Sequence, residues 1–277
     1  MAASAVAVLW RDSPVPLCGS PFLVPNRSIL AFGSQDEDMK SQTSTFSFTG
    51  KASYPKNAVA LLYDLEGFSR FFNQPDVQDY VPAFLNHVSA AMGVNLFGGE
   101  AYWAHNATID ALQIEVAHEK FTGDGALYIL LPPAGSADFP VGTLQHLCNR
   151  LWTLKNRFDV VVNRALEMVP VVEVPRKIRF GLSRGSVYEL PTPDATASEY
   201  IGFSINLASR LQKYCPELGF IASARLMLPD REIAKHGFIK VVATQLRGFP
   251  DEIVLIDRLE YEALSEDIRN RLFKEPP

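Results

Sequence analysis

Apolar positions in this chain change period several times, and each change marks an element. The runs Ala58-Val59-Ala60-Leu61-Leu62-Tyr63 and Ala126-Leu127-Tyr128-Ile129-Leu130 are short and continuous, as in buried strands. Ile178 to Val187 reads as a further strand, bent at Gly181 and Gly185. Between these runs the spacing becomes helical. Val81 through Met92 has one apolar face, and from Val141 to Met168 the residues Leu144, Leu147, Leu151, Leu154, Phe158 and Val161 fall near i, i+3, i+4. Ile205, Ala208, Ser209 and Leu211 suit another helix, on which Asn206 and Arg210, four apart, share a face. Glu252 to Ile256 forms the second arm of a terminal hairpin, and a charged helix is expected over Arg258 to Phe273.

The first part of the chain lacks such periods. Residues 1–54 are rich in Ser, Pro and short polar residues and read as a flexible extension, with strands expected only around Phe22-Leu23-Val24 and Thr45-Phe46-Ser47-Phe48. Ala5 to Trp10 is apolar but short and without a basic flank, so it is not read as a signal peptide. Residues 55–259 then form one domain of alternating strands and helices, and 260–277 the C-terminal charged helix.

Composition narrows the class of protein. With 277 residues, 47% hydrophobic and 21% charged, the chain can bury a substantial core. A net charge of −5 argues against nonspecific nucleic-acid binding, and no apolar run approaches the ~20 residues that span a bilayer. Cys18, Cys148 and Cys215 have neither a paired nor a zinc-like spacing, so a reducing, cytoplasmic setting is expected.

Candidate chemistry sits where acids meet glycines. Asp64-Leu65-Glu66-Gly67-Phe68-Ser69 follows the first apolar run, and Lys120-Phe121-Thr122-Gly123-Asp124-Gly125 precedes the second. Singly, each also fits an ordinary Asp/Gly turn. Together they suggest two neighbouring strands that carry carboxylates to one sheet edge, where glycine admits a ligand close to backbone. Two hard oxygen ligands with room for phosphate oxygens suit Mg²⁺ or Mn²⁺ in nucleotide chemistry.

These two motifs, followed by Arg179-Phe180-Gly181-Leu182 with Gly185 and by Gly202-Phe203-Ser204-Ile205-Asn206-Leu207-Ala208-Ser209-Arg210, resemble in order and spacing the class III nucleotide cyclases. The similarity runs from about Asn57 to Leu259. Within the family, Leu62-Tyr63-Asp64-Leu65-Glu66-Gly67-Phe68 with Asn73-Gln74 looks most like the Pycsar antiphage cyclases, which make cyclic UMP or cyclic CMP. The resemblance implies an α+β, ferredoxin-like palm, a mostly antiparallel sheet with helices packed on one side. Two such subunits face each other in a homodimer whose sites lie at the interface.

The resemblance also implies roles. Two divalent cations, Mn²⁺ or Mg²⁺, would be held by Asp64, Asp124 and the backbone carbonyl of Leu65. Phe68 and Ser69 would open a helix whose N–H groups receive phosphate oxygens, and Arg179 would grip the triphosphate. Arg247 is a weaker candidate for that task, because Gln245 stands where a lysine is expected. Asn206 would orient the ribose and Arg210 would neutralise the transition-state phosphate. The substrate is a nucleoside triphosphate, UTP favoured, and a separate effector protein would respond to the cyclic product. Adenylate or guanylate cyclase is the alternative.

Lys120 and Glu199 match the family's base-reading positions, yet a lysine and a carboxylate satisfy adenine as well as uracil. Tyr102 and Trp103, before the second acid, are candidates for narrowing the pocket toward a pyrimidine. An inactive cyclase-like domain would be expected to lose one of the two acids or Arg210, and all are present. A diguanylate-cyclase-type palm would show a Gly-Gly-acid-acid-Phe hairpin, of which only the beginning, Gly98-Gly99-Glu100, occurs. No role is assigned to His105 or His118.

Overall fold

The computed structural model describes residue 48 and residues 53–169, 173–192 and 198–276, all within the compact unit Thr45–Pro277. The strands expected near residues 22–24 and 45–47 lie outside the described residues. Phe48 has no regular secondary structure.

Chain order is β1 (Lys56–Glu66), α1 (Phe68–Phe72), α2 (Val81–Phe97), the short hairpin β2 (Gly99–Ala101) and β3 (Ala107–Ile109), then β4 (Glu115–Phe121) and β5 (Gly125–Leu131). Next come α3 (Thr143–Asn156), α4 (Phe158–Leu166), β6 (Lys177–Pro191), β7 (Ser198–Gly202), α5 (Phe203–Gln212) and β8 (Phe220–Ser223). The chain closes with α6 (Asp230–Lys235), β9 (Phe238–Ala243), β10 (Glu252–Asp257), α7 (Arg258–Ala263), α8 (Glu266–Leu272) and β11 (Phe273–Lys274). One sheet has the order β11-β9-β10-β8-β6-β1-β5-β4, with β7 pairing the far end of β6. The β6–β8 pairing is parallel and its other pairings are antiparallel, so the fold is α+β with an antiparallel-rich sheet and packed helices.

Strand alternation divides the core in two. Odd-numbered residues of β1, Val59, Leu61, Tyr63 and Leu65, join the main apolar cluster with residues of α2, α3 and α4. Even-numbered Ala58, Ala60 and Leu62 point the other way, toward Ala208 and Ile205 of α5. Helices therefore cover both faces, which corrects the expected one-sided packing. The reason lies at Gly181 in β6: a Cβ there would stand 2.3 Å from the Ala208 carbonyl oxygen and 2.6 Å from Gln212, so α5 reaches the sheet only over a bare backbone. Gly181→Ala is expected to destabilise the fold by about 1–3 kcal/mol. Urea denaturation checks this, and an unchanged midpoint would refute it.

Two expected helices are interrupted. The segment predicted as continuous from Val141 to Met168 breaks at Arg157 (φ −118°). This turn lets Phe158, Val161, Val162 and Ala165 bury on α4 beside α2, while Leu144, Leu147, Leu151 and Leu154 bury along α3. The charged helix expected over Arg258 to Phe273 breaks at Leu264, which turns extended and is 5% exposed in a second apolar cluster. Ser265 then caps α8 through the Ile268 N–H, and Phe273 pairs with β9 instead of ending a helix. Helix α2 runs past the expected Met92 to Phe97 and stops at Gly98.

A polar network ties α3 to the end of β10. Lys155 Nζ lies 2.9 Å from Asp257 Oδ2 and 2.7 Å from Glu260 Oε1, and Trp152 Nε1 donates to the same Asp257 oxygen at 2.7 Å. Burial raises the Asp257 carboxyl, but Lys155, Trp152 and the Leu259 N–H together bring it below the ordinary range. Cys148 and Cys215 are free and buried, and burial pushes both thiols up to about 12. No described helix is long and apolar enough to cross a membrane.

Candidate active site

Register places the candidate residues on a common face. Asp64 pairs with Arg179 of β6 and with Gly125 of β5, while Lys120 of β4 pairs with Leu127, which pairs with Leu62. Directly opposed residues in antiparallel strands point to the same side. Asp64, Arg179 and Lys120 thus stand on the face covered by α5 rather than the one covered by α2, α3 and α4.

The two acids meet because the β4–β5 hairpin is pressed onto β1. At Gly125 a Cβ would lie 1.9 Å from the Tyr63 carbonyl oxygen, so only glycine permits the approach. The Leu65 N–H donates to the Asp124 carbonyl at 2.9 Å, which fixes Asp124 beside the end of β1. Burial pushes the Asp124 carboxyl above its ordinary range, and the neighbouring Asp64 carboxylate pushes it further, while Lys213 opposes the shift. Arg179 Nη2 sits 2.5 Å from Asp64 Oδ2, both side chains being largely buried. Arg179 Nε is buried without a partner among the described residues.

This arrangement fits a divalent cation. Two crowded carboxylates, one already drawing a guanidinium, form a hard-oxygen donor set short of positive charge. No group of three or more His, Cys, Asp or Glu side chains able to hold a metal occurs among the described residues, so further ligands would come from backbone or substrate oxygens. The Leu65 carbonyl is expected to be of that kind; its side chain is buried and the residue lies near the end of β1, just before the turn at Gly67.

Clefts flank that turn. One of about 590 Å³ is lined by Phe68, Ser69, Phe72, Phe121, Thr122 and Asp124. The other, of about 430 Å³, is lined by Gly67, Arg70, Arg176 and Lys177 with Glu66 and Glu173. Phe68 and Ser69 begin α1, and the first N–H groups of a helix have no acceptor within it. Gln74 fastens the segment after α1 by accepting from the Glu173 N–H at 3.2 Å and donating to its carbonyl at 2.5 Å.

Lys120 and Glu199 are brought together across β4 and β7, with Nζ 2.7 Å from Oε1. Asn206 and Arg210 project from the exposed side of α5, and neither side chain has a hydrogen-bond or ion-pair partner among the described residues. Gln245 takes a left-handed conformation (φ 58°) and donates its amide to the Arg271 carbonyl, while Arg247 is exposed. Tyr102 and Trp103 do not approach the candidate site. Trp103 is buried in the α2/α3/α4 core, Tyr102 packs against it, and Arg164 covers the Tyr102 ring, which removes both from the pocket.

Lys213, close enough to influence Asp124, was not singled out by the sequence reading. It follows Arg210 by three and Asn206 by seven, so the helical period of α5 carries the signal.

No protein-family model and no curated protein matches this sequence. Among solved structures, the adenylyl cyclase CyaB from P. aeruginosa superposes with a TM-score of 0.53 at 16% identity, covering 74% of this chain and 96% of that one. The guanylyl cyclase Cya2 gives a TM-score of 0.49 at 15% identity, covering 75% and 93%. The chain shares the fold of the P. aeruginosa adenylyl cyclase, a class III cyclase fold.

Proposed function

We propose that this chain is a class III nucleotide cyclase that converts a nucleoside triphosphate to a 3′,5′-cyclic nucleotide and pyrophosphate. The observation that carries the reading is Asp124 of the β4–β5 turn beside Asp64, with Arg179 against Asp64 and Lys120, on the same sheet face as Asp64, paired with Glu199. In this reading the ribose 3′-hydroxyl gives up its proton to solvent water, its oxygen attacks the α-phosphorus, the bond to the bridging oxygen breaks, and pyrophosphate leaves with the electron pair.

Asp64, Asp124 and the Leu65 carbonyl would hold two divalent cations, Mn²⁺ or Mg²⁺, which supply Lewis acidity to the hydroxyl and positive charge to the phosphates. The remaining work falls to the protein's own groups. Phe68 and Ser69 offer backbone donors to phosphate oxygens, and Arg179, whose Nε has no partner among the described residues, adds charge-assisted ones. Asn206 orients the ribose, and Arg210 donates to the phosphate as charge builds in the transition state. Lys120 and Glu199 read the base edge. Because Asn206 and Arg210 are exposed and without partners among the described residues, they suit a site completed by a second copy, so the active form is a homodimer with two composite sites.

The base assigned is uracil, by the resemblance of Leu62 to Phe68 to the Pycsar cyclases and by a Lys/Glu pair able to serve O4 and N3–H. Cyclic UMP would then act as a second messenger on a separate effector protein in antiphage defence. The test is incubation of the purified protein with each ribonucleoside triphosphate and Mn²⁺, with products identified by mass. Cyclic UMP is expected to dominate, with CTP the second substrate. A clear preference for ATP or GTP would overturn the pyrimidine assignment, and no cyclic product from any of the four would overturn the cyclase reading.

A further inference from the structure

His118 stands two residues before Lys120 on β4, on the same face. A bulge between Val116 and His118 takes up Ala117 and leaves His118 opposite Ile129 and Lys120 opposite Leu127. Its imidazole is 16% exposed, and the Tyr200 ring lies 5.4 Å away at a tilt of 47°. The Nε2 atom is buried and has no hydrogen-bond partner among the described residues. A buried ring nitrogen in that condition calls for an explanation.

The explanation lies in Glu199. One carboxylate oxygen, Oε1, accepts from Lys120 at 2.7 Å, and the other, Oε2, lies 4.0 Å from His118 Nε2. That gap is about 1 Å beyond a hydrogen bond, within reach of a small rotation of the glutamate. In the chain as described, Lys120 and Glu199 satisfy each other. A nucleobase that presents a carbonyl next to an N–H engages both, and Lys120 must then share its protons with the base. Glu199 loses part of its hold at the moment it has to act as a fixed acceptor.

We infer that His118 is a positioning residue for base selection: its Nε2–H takes over Glu199 Oε2 as the base draws Lys120 away. This rests on the cyclase reading. It gives the pocket a third member that contacts no substrate and acts through Glu199. A carboxylate held in this way stays an acceptor, which favours a base edge with an N–H beside a carbonyl over one with a bare ring nitrogen.

The test compares His118→Phe, which keeps the ring's bulk without a donor, with His118→Gln, which keeps a donor. His118→Phe is expected to raise KM for the preferred nucleotide about tenfold, with kcat within about twofold, and to narrow selectivity over the next base by a similar factor. His118→Gln is expected to recover most of both. Melting temperature shows whether each variant is folded. A second readout needs no turnover: in protein labelled with ¹⁵N-histidine, the Nε2 signal of His118 is expected to move in Glu199→Gln. KM and selectivity of His118→Phe within twofold of wild type, or an Nε2 signal unmoved by Glu199→Gln, would overturn the inference. If wild-type protein makes no cyclic nucleotide, the cyclase reading fails, while the Nε2 signal still decides whether His118 serves Glu199.

Discussion

Asp64→Asn and Asp124→Asn should each lower kcat by at least about a thousandfold, because each removes an anionic ligand from a site whose charge stabilisation is worth several kcal/mol. Stability should move differently from activity. The Asp124 carboxyl is raised, so it is held less comfortably as an anion when folded than when unfolded, and its share of stability falls as pH rises through the carboxylate range. Asp124→Asn removes a charge that burial and Asp64 both disfavour. The variant is therefore expected to melt no lower than wild type at neutral pH while losing turnover. Addition of Mn²⁺ should raise the melting temperature of wild type and not that of the variant. Substantial cyclisation by both variants would show the acids to be structural.

Arg210→Ala is expected to lower kcat by about 10²–10³, the loss found when a single donor to a developing anion is removed. The exposed guanidinium has no partner among the described residues, so the melting temperature should not change. Mixing the Arg210→Ala chain with the Asp124→Asn chain provides the sharper measurement. If the acids of one subunit work with Arg210 of the other, a mixed dimer has one undamaged site and one doubly damaged site, and activity returns in part. Demonstrated subunit exchange without recovery would place each site within a single chain.

Much of the fold was legible because period and punctuation agree. The runs from Ala58 and Ala126 read as strands and pair as neighbours, and the glycines of Ile178 to Val187 mark a strand that passes under a helix. What escaped the reading depends mainly on tertiary choices, although Ser265 followed by Glu266 and Asp267 is a local signal for a new helix after Leu264. Arg157 and Leu264 are neither Gly nor Pro, and the helices break there so that apolar residues on either side reach different surfaces. Packing on both faces follows from Gly181, which sequence shows as a bend but not as the seat of α5.

The site divides along the same line. Lys120 and Glu199, 79 residues apart, could be named from the resemblance, yet only the fold joins them. Tyr102 and Trp103 looked suited to narrowing the pocket toward a pyrimidine because bulky aromatic residues near an acid motif have two uses, packing and recognition. The core took both. Lys213 was within reach of the helical period of α5 and belongs to none of the motifs, while His118, beside the second acid motif, was given no role because its spacing to other residues suggests no metal site.

The contact between Arg179 and Asp64 sets a relation between the two ligands that the proposed reaction requires. If Asp64 binds a cation and Arg179 a phosphate, as proposed, each side chain here occupies its partner in the place of a ligand. On the proposed reading, Asp64 turning to a cation would free Arg179 for the nucleotide, and Arg179 turning to a triphosphate would free Asp64 for the cation. Thermodynamic linkage makes such help mutual and equal in size. Such an exchange of partners would operate as a latch, and the affinity for Mn²⁺ measured with nucleotide present should exceed that measured without it by the same factor by which Mn²⁺ tightens the nucleotide.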